Sequence, residues 1–194
     1  DPETVARLGR AAAEGLIAGG VLPVFKHVPG HGRARADSHL ELPTVETSRE
    51  ELERSDFAPF RANADLPVAM TAHVVFKAID PDRPATLSPI VVNEIIRGFI
   101  GFDGLLMSDD LSMKALAGTF RDRARALFAA GVDIALHCNG DLAEAGEVAA
   151  EAPELSGKAR ERAEKALARI AGERLAFDPV DSREKLAVAL ASAA

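Results

Sequence analysis

GFDGLLMSDDLSM, residues 101–113, decides how this chain is read. Leu105 to Met107 is a short apolar strand, and it runs without a break into Ser108, Asp109 and Asp110. Three other segments repeat the pattern. VLPVF, residues 21–25, runs into Lys26 and His27; VAMTAHVVF, within residues 66–76, carries His73; and Val132 to Leu136 runs into His137 and Asn139. Between these strands lie helical stretches. Asp1, Pro2 and Glu3 start a helix that presents Val5, Leu8, Ala12, Leu16 and Ile17 at helical spacing and ends at Gly19-Gly20. Ser48 with Glu51 has the form of a capping box. Ser88-Pro89 opens a helix to Ile100 with Ile90, Ile95, Ile96 and Phe99 as its apolar set, and Phe120 to Ala130 forms another that Gly131 closes. The remainder is Ala-rich helix.

Four strands alternating with helices predict an α/β fold with parallel strands. The carboxyl ends of such strands share one face, and active sites gather there. Four segments that each deliver reactive side chains to that end point to a site and not to four ordinary strand termini.

The chain has 194 residues, 47% of them hydrophobic and 27% charged, enough for a globular core. Its 23 Lys and Arg against 30 Asp and Glu leave a net charge of −7, which argues against a nucleic-acid partner. No apolar run approaches the roughly 20 residues that cross a bilayer. The N-terminal DPETVARLGRAAAEGL reads as a helix start and not a signal peptide. The single cysteine, Cys138, rules out an internal disulfide, reads as a small buried thiol and fits a reducing, cytoplasmic location.

The loop KHVPGHGRARADSH, residues 26–39, holds three of the five histidines. His27 and His31 are four apart, but Pro29 and Gly30 between them break a helix, so they do not form a helical zinc pair. A loop-built metal site from His27, His39, His73 and Asp109 stays open as an alternative. PGHG lacks the lysine and hydroxyl of a phosphate loop. Ser38 and Ser108 lack the glycine-flanked turn of a nucleophilic serine and read as local hydrogen-bonding residues. What remains is a carboxylate nucleophile with a separate proton donor, the two groups that glycoside cleavage needs on opposite sides of the anomeric carbon. A histidine can supply the proton at neutral pH. Asp37, two residues from His39, either orients that ring or shapes an Asx-turn. Asp109 is either the carboxylate or the cap of the segment that follows, a task Asp110 can equally perform.

KHVPGHG followed by DSH, then MTAHV, then GFDGLLMSDDLSM, resemble the bacterial β-N-acetylhexosaminidases of glycoside hydrolase family 3 over about residues 1–139. The resemblance implies a TIM-barrel-like (β/α) fold and a retaining mechanism through a glycosyl-enzyme ester. It implies Asp109 as nucleophile, His39 as a loop-borne acid/base, Asp37 as its dyad partner, and Lys26 and His27 as sugar-binding residues. His73 is grouped with the sugar-binding residues without a firm role, and Asp110 is expected to face away. RARA, residues 33–36, is expected to be a solvated linker. The implied substrate is an N-acetylglucosamine-containing saccharide from cell-wall (peptidoglycan) fragments, with no cofactor and no metal; a phosphorylase is a subsidiary reading. The resemblance begins part-way along the family's domain. The expectation is therefore one partial domain, residues 1–194, comprising the second half of a barrel plus C-terminal helices, with a homo-oligomer covering its open side. A catalytically incomplete fragment or assembly domain is the remaining alternative. The absence of Trp and Tyr leaves only nine Phe to stack on a sugar.

Overall fold

The computed structural model describes residues 1–38, 40–172, 176 and 178–192. Its centre is one parallel sheet of four strands, β1 (Val24–Val28), β3 (Val68–Thr71), β5 (Leu105–Asp110) and β6 (Ile134–Leu136), in the spatial order β1-β3-β5-β6. Order in space follows order in sequence, as expected when each crossover helix returns the chain beside the preceding strand. The sheet is an open arc with β1 and β6 as its edges. Two shorter strands, β2 (Thr44–Val45) and β4 (Val75–Phe76), pair in parallel as a separate ribbon.

Helices α1 (Pro2–Ala18), α2 (Arg49–Arg54), α3 (Ala58–Ala62), α4 (Phe120–Ala130), α5 (Leu142–Glu151) and α6 (Gly157–Ala168) accompany the sheet, and α7 (Pro179–Ala191) follows. Their ends obey local chemistry. Asp1 accepts a hydrogen bond from the Thr4 amide at 2.9 Å, and Thr119 with Asp122 completes a reciprocal capping box on α4. Gly131 closes α4 at φ 95°, a left-handed conformation that favours glycine. Gly104 has a steric reason: a Cβ there would sit 2.7 Å from both the Phe102 ring and the Pro67 carbonyl.

The core packs Val28, Ala69 and Leu106 of the sheet against Leu52, Phe57, Phe76, Ile95, Ile96, Phe102 and Leu127. Phe57 meets Phe76 edge-on at 5.8 Å between centroids, and Phe25 meets Phe102 at 5.3 Å, both in the attractive range for aromatic pairs. Most of the phenylalanines serve this core.

The structure departs from the sequence expectations in several places. Strand β1 begins at Val24, three residues late, and includes Lys26 and His27. Pro23 lacks an amide proton, so pairing starts after it. The second predicted strand is two, β3 and β4, with His73 in the gap between them. The Ser88–Ile100 segment is wound with i→i+5 hydrogen bonds over Val91–Phe99; Val91, Val92, Ile95 and Ile96 are buried while Ile90 is 41% exposed. The wider winding changes which residues share a face, and a 3.6-residue period cannot anticipate it. The Ser48–Glu51 capping box is half formed. Ser48 accepts from the Glu51 amide at 3.3 Å, but the Glu51 carboxylate turns to Arg33 at 2.9 Å. On α1, Val5, Leu8 and Leu16 are exposed and only Ala13 is buried, so its apolar stripe lies uncovered. Cys138 is exposed and not buried, because it sits on the loop beyond β6 with its amide tethered to Asp110 at 3.2 Å. No helix among the described residues is long and apolar enough to cross a membrane.

Candidate active site

The carboxyl ends of the four strands converge. On β5 the side chains alternate in burial: Leu106 and Ser108 are buried, while Leu105, Met107 and Asp109 are partly exposed on the other face. The register with β6 shifts between Met107 and Asp110, and Asp109 and Asp110 make separate sets of contacts.

Asp110 is fully occupied with local structure. Its carboxylate accepts from the Ser112 amide (3.0 Å), the Ser112 hydroxyl and the Cys138 amide (3.2 Å), which ties the loop after β5 to the loop after β6. Burial works to raise its pKa; the hydrogen bonds from Ser112 and Cys138 together outweigh it and hold the carboxyl below the ordinary aspartate range. Asp109 has the opposite character. One oxygen, Oδ1, accepts from the Asp110 amide at 2.9 Å. The other, Oδ2, lies 3.5 Å from His27 Nε2.

His27 reaches this point from β1, on the far side of β3. Burial pushes its imidazole below the ordinary range; the Asp109 charge pulls the other way, and Lys26, His31 and His73 reinforce the lowering. The ring is therefore a neutral donor at neutral pH. His31 joins the site, with its ring 5.6 Å from that of His27 and its Nε2 3.3 Å from the buried Ser38 hydroxyl. Lys26, His27 and His31 line a cleft of about 630 Å³ along the open edge of β1, floored by Phe25 and Phe60.

His73 has no exposed surface. Its Nε2 donates to the Asp110 carbonyl at 3.0 Å, and its Nδ1 meets the Thr86 hydroxyl at 2.8 Å. Burial lowers its pKa against the pull of that carbonyl. His137 follows β6, with Nε2 3.2 Å from Glu144 and its ring edge-on to Phe120 at 5.4 Å.

Asp37 stands on the loop after β1, where its carbonyl accepts from the amides of Leu40 (2.9 Å) and Glu41 (3.0 Å). His39 lies outside the described residues. Arg33 and Arg35 are exposed, as expected of a solvated segment, but Arg33 bonds Asp56 at 2.7 Å, Glu51 at 2.9 Å and Ser55 at 3.2 Å, which fastens the start of RARA to the end of α2. The acidic partners sit about twenty residues away, so no local pattern could reveal this anchor. Among the described residues, no group of three or more His, Cys, Asp or Glu is placed to hold a metal ion.

A carboxylate oxygen beside a neutral imidazole, a lysine and a second histidine, all at the carboxyl end of a parallel sheet, form a polar site suited to hydroxyl-rich ligands. The chain is similar to several known proteins. A β-hexosaminidase from Alkalilimnicola ehrlichii is 47% identical over 142 residues, covering 71% of this chain and 40% of its own length. CbsA from Thermotoga neapolitana superposes with a TM-score of 0.77 at 35% identity, over 90% of this chain and 43% of that one. NagZ from Neisseria gonorrhoeae, solved with N-trifluoroacetyl-D-glucosamine, gives a TM-score of 0.66 at 38% identity, over 89% of this chain and 56% of that one. The chain spans about 40 to 50% of the length of the curated relatives it matches. Its open arc is accordingly part of a TIM-barrel-like α/β fold. Residues 1–172 match the family model described as the glycosyl hydrolase family 3 N terminal domain, and the chain belongs to that family.

Proposed function

We propose that this chain carries both the nucleophile and the acid/base of a retaining glycoside hydrolase that removes terminal β-N-acetylglucosamine, with peptidoglycan fragments in the cytoplasm as its substrate. The observation that carries the reading is Asp109: one oxygen is held by the Asp110 amide and the other is directed into the site beside a neutral His27. The named activities of the relatives, and the sugar bound to the Neisseria neighbour, support the substrate class.

In this mechanism Asp109 Oδ2 attacks the anomeric carbon while the bond to the leaving oxygen breaks, and His39 gives that oxygen a proton. Water then attacks the same carbon and passes a proton to His39, and Asp109 departs as a carboxylate. Lys26 and His27 hold the sugar hydroxyls. The 3.5 Å between His27 and Asp109 is too long for a good hydrogen bond and leaves both groups able to bond one hydroxyl that approaches them from the same side. Asp37 orients the ring of His39, and a proton donor on a loop allows closure before chemistry.

The deciding experiment is trapping. A fluorinated N-acetylglucosaminide with an activated leaving group should leave a covalent adduct on Asp109 in a peptide mass map. An adduct on another carboxylate, or none with turnover continuing, refutes the assignment.

We treat residues 1–194 as one partial domain and propose that it self-associates over the open β1 edge and the uncovered stripe of α1. A monodisperse monomer by light scattering would dismiss that association.

A further inference from the structure

The Asp110 peptide is clamped from several sides. Its carbonyl accepts from His73 Nε2 at 3.0 Å and from the Met113 amide at 3.2 Å. Next along the chain, the Leu111 amide donates to the Leu136 carbonyl at 2.9 Å, and the Leu111 carbonyl accepts from Arg123 at 2.6 Å. The amide at the other end of the Asp110 residue is the one that grips Asp109 Oδ1. His73 thus acts one residue away from the group that fixes the nucleophile, although it is itself completely buried.

The acceptor at one end of the His73 ring argues for one order of protons. A carbonyl oxygen only accepts, so Nε2 carries a proton. In a neutral ring Nδ1 then accepts, and the Thr86 hydroxyl at 2.8 Å is its donor. Thr86 in turn accepts from the Thr71 hydroxyl, 2.8 Å away. The Ala72 carbonyl, 3.0 Å from Thr86, competes for the same hydroxyl proton. Giving that proton to Ala72 would leave Nδ1 unsatisfied or require a charged ring in a fully buried place, and both are costly. The four groups therefore form one directed chain, Thr71 to Thr86 to His73 to the Asp110 carbonyl, from the end of β3 to the end of β5.

We propose that His73 is a positioning residue: through this chain it orients the Asp110 peptide, and with it the Asp109 carboxylate, without touching the sugar. The proposal rests on the reading of Asp109 as nucleophile. A buried histidine used only for packing would be replaceable by any ring of similar volume; this one would not.

The variants are His73→Phe, which keeps the volume and loses the N–H; His73→Gln, whose amide N–H reaches about as far as Nε2; and Thr86→Val, which removes the hydroxyl that selects the tautomer. On an aryl N-acetylglucosaminide, His73→Phe is expected to lose about 10- to 100-fold in kcat, with KM within about twofold, as for a reacting group displaced by a fraction of an ångström. His73→Gln should recover most of that loss. Amide hydrogen exchange at Asp110 should be faster in His73→Phe than in wild type and near wild type in His73→Gln. An unchanged kcat in His73→Phe, equal losses in Phe and Gln, or a raised KM at constant kcat overturns the proposal. If His73→Phe fails to fold, Thr86→Val decides: reduced kcat at constant KM supports the positioning chain, and unchanged kcat refutes it. If Asp109→Ala keeps full activity the nucleophile reading falls, while exchange at the Leu111 amide, which shares a peptide group with the Asp110 carbonyl, still reports whether His73 holds that peptide.

Discussion

His27 Nε2 lies 3.5 Å from Asp109 Oδ2, although the two residues belong to strands separated by β3. Two strand spacings amount to about 9.6 Å of backbone. The side chains therefore lean together over the carboxyl end of the middle strand, and the site exists only once all three strands are in register.

If His39 is the proton donor, its loss is felt in proportion to the basicity of the leaving group. His39→Ala is expected to slow alkyl N-acetylglucosaminides by roughly 10²–10⁴-fold and to spare dinitrophenyl ones, where the leaving group needs no proton. A plot of log kcat/KM against leaving-group pKa should steepen. Equal losses across the series would remove His39 from the acid role.

Asp133 predicts a stability effect without a catalytic one. It is buried at the opposite end of β5, where it accepts from Arg97 (2.8 Å), Arg162 (3.0 Å) and the Leu106 amide (2.9 Å). Removing it leaves the largely buried Arg97 without its carboxylate. Asp133→Ala should cost about 3–5 kcal/mol in urea denaturation. A loss under about 1 kcal/mol would show that water compensates the arginines.

Acid should weaken the fold through its histidines. His27 and His73 both have pKa values lowered by burial, against Asp109 for the first and against the Asp110 carbonyl, Asp109 and Asp110 for the second; Arg123 adds to the lowering at His73, as Lys26 and His31 do at His27. Below about 6.5 the unfolded chain binds protons that the folded chain refuses, so stability is complete above that pH and falls as pH drops toward the folded values. Each group contributes a slope of at most about 1.4 kcal/mol per pH unit. Melting curves between pH 7.5 and 5.5 should show the decline, and His73→Gln should flatten it. A flat wild-type profile would mean that the folded rings take up protons as readily as the unfolded ones.

Much of the architecture was legible in local pattern. Apolar runs ending in Lys26-His27, Asp109-Asp110 and His137 announced parallel strands whose carboxyl ends lie on one side, because a strand's period of two and a helix's period of 3.6 are written in consecutive residues. The motif KHVPGHG, the DSH loop and SDDLSM carried the family resemblance that the comparisons bear out.

What only the tertiary structure decided depends on residues far apart in the chain. The grip of Arg33 on Asp56, the i→i+5 winding of Val91–Phe99, the exposure of α1's apolar stripe and the burial of His73 against Asp110 leave no local trace. Hydrogen bonds and burial are set by what the folded chain brings alongside a residue, and the sequence separation of 37 from His73 to Asp110 holds no periodic signal of that meeting.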